Sequence, residues 1–286
     1  NSRDVTIQWC IMSEALNCST HTKGCHSKGP HIGNGDSGRI TLHHNLIAHN
    51  VERNPLVGTG KNYPVQVTNN VNYNCANNTM PRANYGETAR VDVIRNYYVP
   101  GVQTKLTSFE VQAYREKADD GEPRFYVEGN IGWNRTSDSL AENLVVRPTD
   151  RAWMLTSRVA FPDVPISESD AASAYDDVLT DVGCRIPHLD AVDQRLLGSV
   201  ENRTGRIINS PSQVGGWPSL AKGTPLPDRD NDGLPDVFED RYGGDLDPSA
   251  DSGDGYTWIE KWSHELAGGT STPSTGFDYD LYNEVT

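Results

Sequence analysis

The sequence predicts an all-β fold, a right-handed parallel β-helix, followed by helical segments and a small acidic module. Three observations carry this. Five stretches share one pattern: VTIQWCIM (5–12), ITLHHNLI (40–47), VQVTNNVN (65–72), VDVIRNYY (91–98) and FYVEGNIG (125–132). Each opens on a short β-prone run whose alternation suits a half-buried strand. Four of the five place an asparagine at the sixth position (Asn45, Asn70, Asn96 and Asn130), with Cys10 holding that place in the first. The repeat is variable in length, as solenoid coils with loops of different size between recurring strands would be. A short amide tolerates tight-turn geometry and can bond backbone or the next coil's amide, so stacked coils make a ladder. The right hand follows from the general rule for parallel crossovers.

The remaining elements follow in chain order. Residues 13–39 read as a long polar loop, and with the strand after it this region holds His21, Lys23, His26, Lys28, His31, His43, His44 and His49. Long loops on rigid scaffolds commonly carry function. Residues 76–90 and 101–124 read as two further loops, and after Trp133 the pattern ends in irregular chain over 134–166. SESDAASAYDDVLTDVGC (167–184) reads as a helix capped by Ser169 or Asp170 and stopped by Gly183, with DAVDQRLLGSV (190–200) as a shorter one. These wrap back over the solenoid or close its end. The solenoid domain thus runs over 1–214, a linker over 215–227, an acidic module over 228–266 and a tail over 267–286.

The net charge is −14 over 286 residues, and residues 224–286 hold fifteen Asp/Glu against three Lys/Arg. Such a balance argues against nucleic acid as a partner and for cation binding by the acidic end. No stretch is long and apolar enough to span a membrane. The five cysteines suit a secreted protein with one or two disulfides, Cys18–Cys25 being the favoured pair; the alternative is five thiols, with Cys10 filling the ladder position.

Two constellations carry chemistry. DRDNDGLPDVFE (228–239) has the oxygen ligands of a twelve-residue calcium loop: Asp228, Asp230 and Asp232 alternate, Gly233 allows the turn, Leu234 offers its carbonyl, Asp236 takes the ninth place and Glu239 closes. It resembles EF-hand-like and thrombospondin type 3-like calcium motifs. A less regular companion set is Asp247, Asp251, Asp254 and Glu260, with Gly255. The second constellation is ITLHHNLIAHNVERNPLV (40–57). Its HHN and RNP, with SEALN, HSKG, VTNNVNYN, AYDDVLTDVGC, DAVDQRLL, VGGWP and DNDGLPDVFE elsewhere, resemble the bacterial pectate lyases of polysaccharide lyase family one over nearly the whole chain.

The resemblance implies a secreted parallel β-helix that cleaves an acidic polysaccharide, polygalacturonate or pectin, by β-elimination with Ca²⁺. The arginine of the family's R-x-P motif, its presumed base, maps onto Arg53. A plainer role for Arg53 is a carboxylate clamp or an ion pair with Glu52. Lys23, Lys28, His26, His31, His43 and Lys61 are candidates for binding substrate carboxylates. His43 and His44, adjacent on a strand, should point to opposite sides, which limits a histidine-bound transition metal. The chain departs from the family where a second basic residue should follow the motif: Leu56 and Gly58 stand there, and Lys61 is the first cation. The family's further lysine and calcium-binding acids lie on coils before Val5, so Asn1 is expected not to be the biological start, with upstream coils or another polypeptide stacking on 5–12. The alternative function is a non-catalytic extracellular protein for glycan binding or surface and filament assembly.

Overall fold

The computed structural model describes residues 2–35, 38–60, 62–84, 87–115, 117, 121–159, 166–186, 188–220 and 223–267. The chain divides into two compact units, Asn1–Cys184 with Asp190–Pro218, and Arg185–Leu189 with Ser219–Thr286. Among the described residues the first contains strands β1 (Arg3–Gln8), β2 (Ile11–Ser13), β3 (His31–Gly35), β4 (Gly38–His43), β5 (Leu46–Ala48), β6 (Leu56–Thr59), β7 (Val65–Thr68), β8 (Val71–Tyr73), β9 (Met80–Asn84), β10 (Glu87–Thr88), β11 (Arg90–Ile94), β12 (Tyr97–Val99), β13 (Tyr114–Arg115) and β14 (Arg124–Glu128).

These strands form three sheets, mostly parallel, consistent with a parallel β-helix. The first runs β1-β4-β7-β11-β14 and the second β2-β5-β8-β12, both parallel throughout, each successive coil adding one strand. Each repeated segment therefore supplies a strand of the first sheet, a tight turn, and the start of a strand of the second. The third sheet, β3-β6-β9 with β10 antiparallel at its edge and β13 beside β9, differs from expectation because β3, β9, β10 and β13 lie in stretches that read as loops. HIGNG and MPRAN carry Gly, Asn and Pro in place of alternation, so their strand character comes from the neighbouring coil and not from local propensity. The three sheets enclose Ile32, Leu42, Val57, Val65, Val67, Val91, Val93, Val111, Phe125 and Val127. Of the stretch 134–166, the described residues 134–159 are likewise more than irregular chain. Two 3-10 turns, Glu142–Val145 and Pro148–Trp153, put Val145 and Val146 into the core, and single bridges Val111↔Val146 and Phe125↔Met154 carry the pairing onward.

The asparagine ladder is continuous. Asn45 Nδ2 donates to Asn70 Oδ1 (2.9 Å), Asn70 Nδ2 to Asn96 Oδ1 (3.0 Å) and Asn96 Nδ2 to Asn130 Oδ1 (2.9 Å). Each Oδ1 also accepts the preceding rung's backbone N–H, beginning with Cys10 N to Asn45 Oδ1 at 3.0 Å. All four asparagines are buried, so every amide group is spent on a partner that water cannot reach. The left-handed turn position is not the asparagine itself but the residue before it: Trp9, His44, Asn69, Arg95 and Gly129 have φ between 50° and 64°. The ladder amides hold that strained residue in place from the inside.

The helices form where their caps predict. Helix α1 (Ala171–Asp181) starts on Asp170, whose carboxylate accepts from Ala172 N and Ser173 N, and helix α2 (Ala191–Glu201) starts on Asp190 in the same way. Helix α1 packs beside β12, with Tyr175 against Tyr97 at 5.2 Å between ring centres. Helix α2 is fixed to the turns after the second sheet by a two-pronged Arg195–Glu14 pair and by Ser199 against His49. The hydrogen-bond directions there are determined. Gln103 N donates to Asn74 Oδ1 (2.7 Å), which turns the Asn74 amide nitrogen toward His49 Nδ1 (2.9 Å). His49 Nδ1 therefore accepts, and its Nε2 proton goes to Ser199 Oγ (2.9 Å), which donates to the Leu196 carbonyl (2.6 Å). A histidine that donates to the serine cannot take its proton, so this buried Ser–His pair is a structural bridge.

Burial pushes the His49 pKa from 6.5 down to about 4. The unfolded chain then binds more protons than the folded one as pH drops below 6.5, and stability is lost until the folded value is reached. The urea-unfolding midpoint should therefore fall between pH 6.5 and 4, and His49→Gln should remove about 3 kcal/mol of that fall. An unchanged pH slope in the variant would contradict the bridge. Asp92, whose pKa burial raises from 3.8 to about 6, works the other way: its contribution is complete below 3.8 and fades as pH rises through about 6.

The second unit builds its own core from Leu234, Phe238 and Trp262, with Leu226, Tyr242, Leu246, Trp258 and Leu266 packed on it. Helix α3 (Asp236–Tyr242) ends on Gly243 at φ 109°, and helix α4 (Trp258–Leu266) starts with a capping box between Thr257 and Glu260. Cys18 and Cys25 are joined in a disulfide, while Cys10, Cys75 and Cys184 take no part in one. Among the described residues no helix is long and apolar enough to cross a membrane.

Candidate functional site

Arg53 occupies the turn between β5 and β6 with φ 66°, a conformation that only a closely supported non-glycine residue keeps. The support comes from both adjoining coils. Gly29 lies so close beneath that a Cβ there would overlap the Arg53 carbonyl and Asn54 Oδ1, which accounts for the glycine of HSKG. On the other side Asn54 Nδ2 donates to the Asn77 carbonyl (2.7 Å), and the Asn54 carbonyl accepts from Asn72 Nδ2 (2.6 Å). Beneath them Asn72 Nδ2 also reaches Asn78 Oδ1 (3.2 Å), and Thr79 Oγ1 meets the Tyr98 hydroxyl (2.8 Å). The guanidinium is thus mounted on a buried polar network and not on a free loop.

Cations gather around it. Glu52 pairs with Lys28 and not with Arg53, so among the described residues Arg53 makes no ion pair. Burial first and then the charge of Arg82 hold the Arg53 pKa below its usual value. Lys28 is lowered by burial, then by Arg53 and Lys23; His26 by desolvation, then by Lys28, His21, Arg53 and Lys23. His21 and His26 stack with ring centres 4.2 Å apart. The loop over 13–30 therefore brings His21, Lys23, His26 and Lys28 within electrostatic reach of Arg53. His31 is on β3, exposed, with its ring lying over Gly33. Lys61 lies outside the described residues.

His43 sits elsewhere, at the end of β4 in the first sheet. It does not point away from His44: the left-handed turn at His44 (φ 52°) swings the second ring round, and the two Nδ1 atoms lie 2.8 Å apart, both rings buried. Burial, then His44, lowers the His43 pKa to about 4. His44 stacks on Trp9 at 4.6 Å. The residue missed by sequence reading is Arg82. It could have been found by period: Gly33, Gly58 and Arg82 follow one another at nearly the spacing that separates Asn45 from Asn70.

In the second unit Asp228, Asp230 and Asp232 bring carboxylate oxygens within 4.8 Å of one another, the one such cluster among the described residues. Desolvation, then Asp232, raise the Asp230 pKa. Gly233 takes φ 100°, and Asp228 accepts from Asn231 N and Gly233 N, closing the loop around the oxygens. Asp236 instead pairs with Arg229, and Glu239 accepts from Leu246 N. The companion acids have internal partners too: Asp247 with Ser249, Asp251 with Gly253 N and Gly255 N, Asp254 with Lys261, and Glu260 in its capping box.

Fold and site together define a parallel-strand solenoid with a cluster of basic side chains around Arg53. No family model matches the chain. It is related to fungal proteins named "Probable pectate lyase C": 31% identical over 277 residues in Aspergillus oryzae, covering 92% of this chain and 60% of the relative; 27% over 286 residues in Aspergillus fumigatus, covering 94% and 61%; and 29% over 275 residues in Aspergillus terreus, covering 92% and 60%. These relatives support a pectate lyase-like family, and they are fungal where the motifs had suggested bacterial ones. The chain spans about three fifths of their length.

Proposed function

We propose that the protein is a secreted pectate-lyase-like polysaccharide lyase with a right-handed parallel β-helix, cleaving uronate-containing polysaccharide by β-elimination. The single observation that carries the reading is Arg53: a guanidinium that makes no ion pair among the described residues, lowered in pKa by burial and Arg82, and held in a supported turn among basic side chains. Elimination needs a base to take the proton at C5 of a uronate; the C–H electron pair becomes the C4=C5 double bond as the C4–O bond breaks, and the leaving oxygen takes that bond's pair and a proton. Cations around the carboxylate stabilise the negative charge that develops beside C5. Lys28 and Lys23 supply such charge here, and Ca²⁺ on the carboxylate adds to it when bound. The test is digestion of polygalacturonate and other uronans by the intact protein, followed by the ultraviolet absorbance of the unsaturated uronide. No such product from any uronan would refute the lyase and leave glycan binding as the alternative.

In the same proposal residues 228–239 hold one Ca²⁺. The three clustered aspartates are the hard oxygen donors that ion requires, and the charge of Asp232 adds to desolvation in raising the Asp230 pKa. Asp236 and Glu239, engaged with Arg229 and Leu246, are outer supports of the loop in place of direct ligands. Calorimetry should detect a Ca²⁺ site in the intact protein that Asp232→Ala abolishes, with at least tenfold weaker binding as the minimum expected from losing a charged ligand. An unaltered isotherm would refute the site.

A further inference from the structure

A groove of about 700 Å³ lies between the C-terminal half of helix α2 and the chain that follows it, and none of the basic residues around Arg53 lines it. One wall holds Gly198 and Asn202, the other Arg206 and the 3-10 turn Pro211–Val214, which ends on Gly215 at φ 100°. Gly198 is the unexpected member. A glycine inside an eleven-residue helix weakens it relative to alanine. A Cβ at 198 would meet no atom within 4 Å, so packing does not demand the glycine. What its missing side chain leaves is open floor, and Gly215 is bare in the same way.

The polar groups along the groove are each anchored at one end. Asn202 Nδ2 donates to the Gly198 carbonyl (2.8 Å), which leaves its Oδ1 as an acceptor. Gln213 Oε1 accepts from Asn209 N (2.6 Å), which leaves its Nε2 as a donor. Arg206 Nη2 donates to the Gln213 carbonyl (3.0 Å), and among the described residues Arg206 makes no ion pair. Arg195 also lines the groove, but Glu14 takes both its Nη groups, so the uncompensated charge is that of Arg206. Side chains held in this way lose little freedom when a ligand arrives. A sugar ring packs its C–H face on bare apolar surface, here Val214 and glycine backbone, and its hydroxyls need fixed donors and acceptors; an acidic sugar adds a carboxylate for the one cation. Trp217, two residues beyond Gly215 and 86% exposed, leaves in water a large ring of the kind a sugar face covers. We propose that this groove is a second binding site for an acidic glycan, Arg206 holding a uronate carboxylate and Asn202 and Gln213 its hydroxyls. The choice of a uronate rests on the uronan reading of the protein.

The test is amide hydrogen exchange of the intact protein with saturated trigalacturonate, its methyl ester and maltotriose, in the parent and in Arg53→Ala so that turnover plays no part. Peptides over 198–215 should exchange about tenfold more slowly when the acid is present at about ten times its Kd, and the ester and maltotriose should protect them far less. Arg206→Gln should raise the acid concentration needed by about tenfold, the loss expected for a charge-assisted bond. Gly198→Gln should fill the groove and abolish the protection, with an unfolding midpoint at or above that of the parent because a helix glycine is gone. No protection by the acid, equal protection by the ester or by maltotriose, or unchanged acid binding in both variants would overturn the site. The two readings fail separately. A protein that shows the Arg206-dependent protection but cleaves nothing keeps the groove and loses the lyase, while one that cleaves uronan without protection over 198–215 keeps the lyase and loses the groove.

Discussion

Arg53→Ala should lower uronan cleavage by about 10²- to 10⁴-fold, the range for removing a positioned general base, with unfolding curves close to those of the parent. The side chain makes no ion pair among the described residues, so its loss leaves no buried partner behind. The groups that hold the turn, buried Asn54, Asn72 and Asn78 and half-buried Gly29, stay in place. Arg53→Lys should be nearly as poor. A lysine carries the charge but not the planar fork, and beside Lys28 and Lys23 another compact ammonium does not reproduce it. Initial rates of unsaturated product, measured beside thermal unfolding, check both variants. A parental rate in Arg53→Ala would place the base elsewhere.

Asn70→Ala should cost about 3–5 kcal/mol, a large fraction of a domain's stability. Asn70 sits in the middle of the ladder. Its Oδ1 accepts from both Asn45 N and Asn45 Nδ2, and its Nδ2 reaches Asn96 Oδ1 and the carbonyls of Leu42 and Thr68. Truncation strands several of these groups where water has no access, and buried networks lose more than the sum of their pairs. Equilibrium urea unfolding measures the loss. A variant as stable as the parent would show that the rungs are incidental to the coil. Cys10, at the ladder's end with its backbone N–H on Asn45, should tolerate alanine far better, because its backbone is what the ladder uses.

The ladder was legible because one polar residue recurs at one phase and nothing but stacking explains it. The first two sheets followed from it, as did the helix starts, where Asp170 and Asp190 cap in the expected way. The third sheet was not legible. HIGNG, LVGT and MPRAN have no local strand pattern, and their pairing is dictated by coils already stacked on either side. The same cause hid Arg82, whose position beside Gly58 depends on cross-coil register and not on any motif. His43 and His44 misled because alternation assumes a strand that continues, whereas the left-handed turn at His44 ends it there. In the acidic module spacing located the three clustered aspartates. It could not foresee that Arg229 and Leu246 N engage Asp236 and Glu239, since those partners are set by helix α3 and the chain that follows it.

The central claim is that this site cleaves by elimination, and the masses of the products settle it most directly. Polygalacturonate digested by the intact protein should yield fragments whose new non-reducing ends are unsaturated and which are lighter by one water than hydrolysis products. Saturated fragments of hydrolysis mass, or an undegraded polymer, would contradict the account.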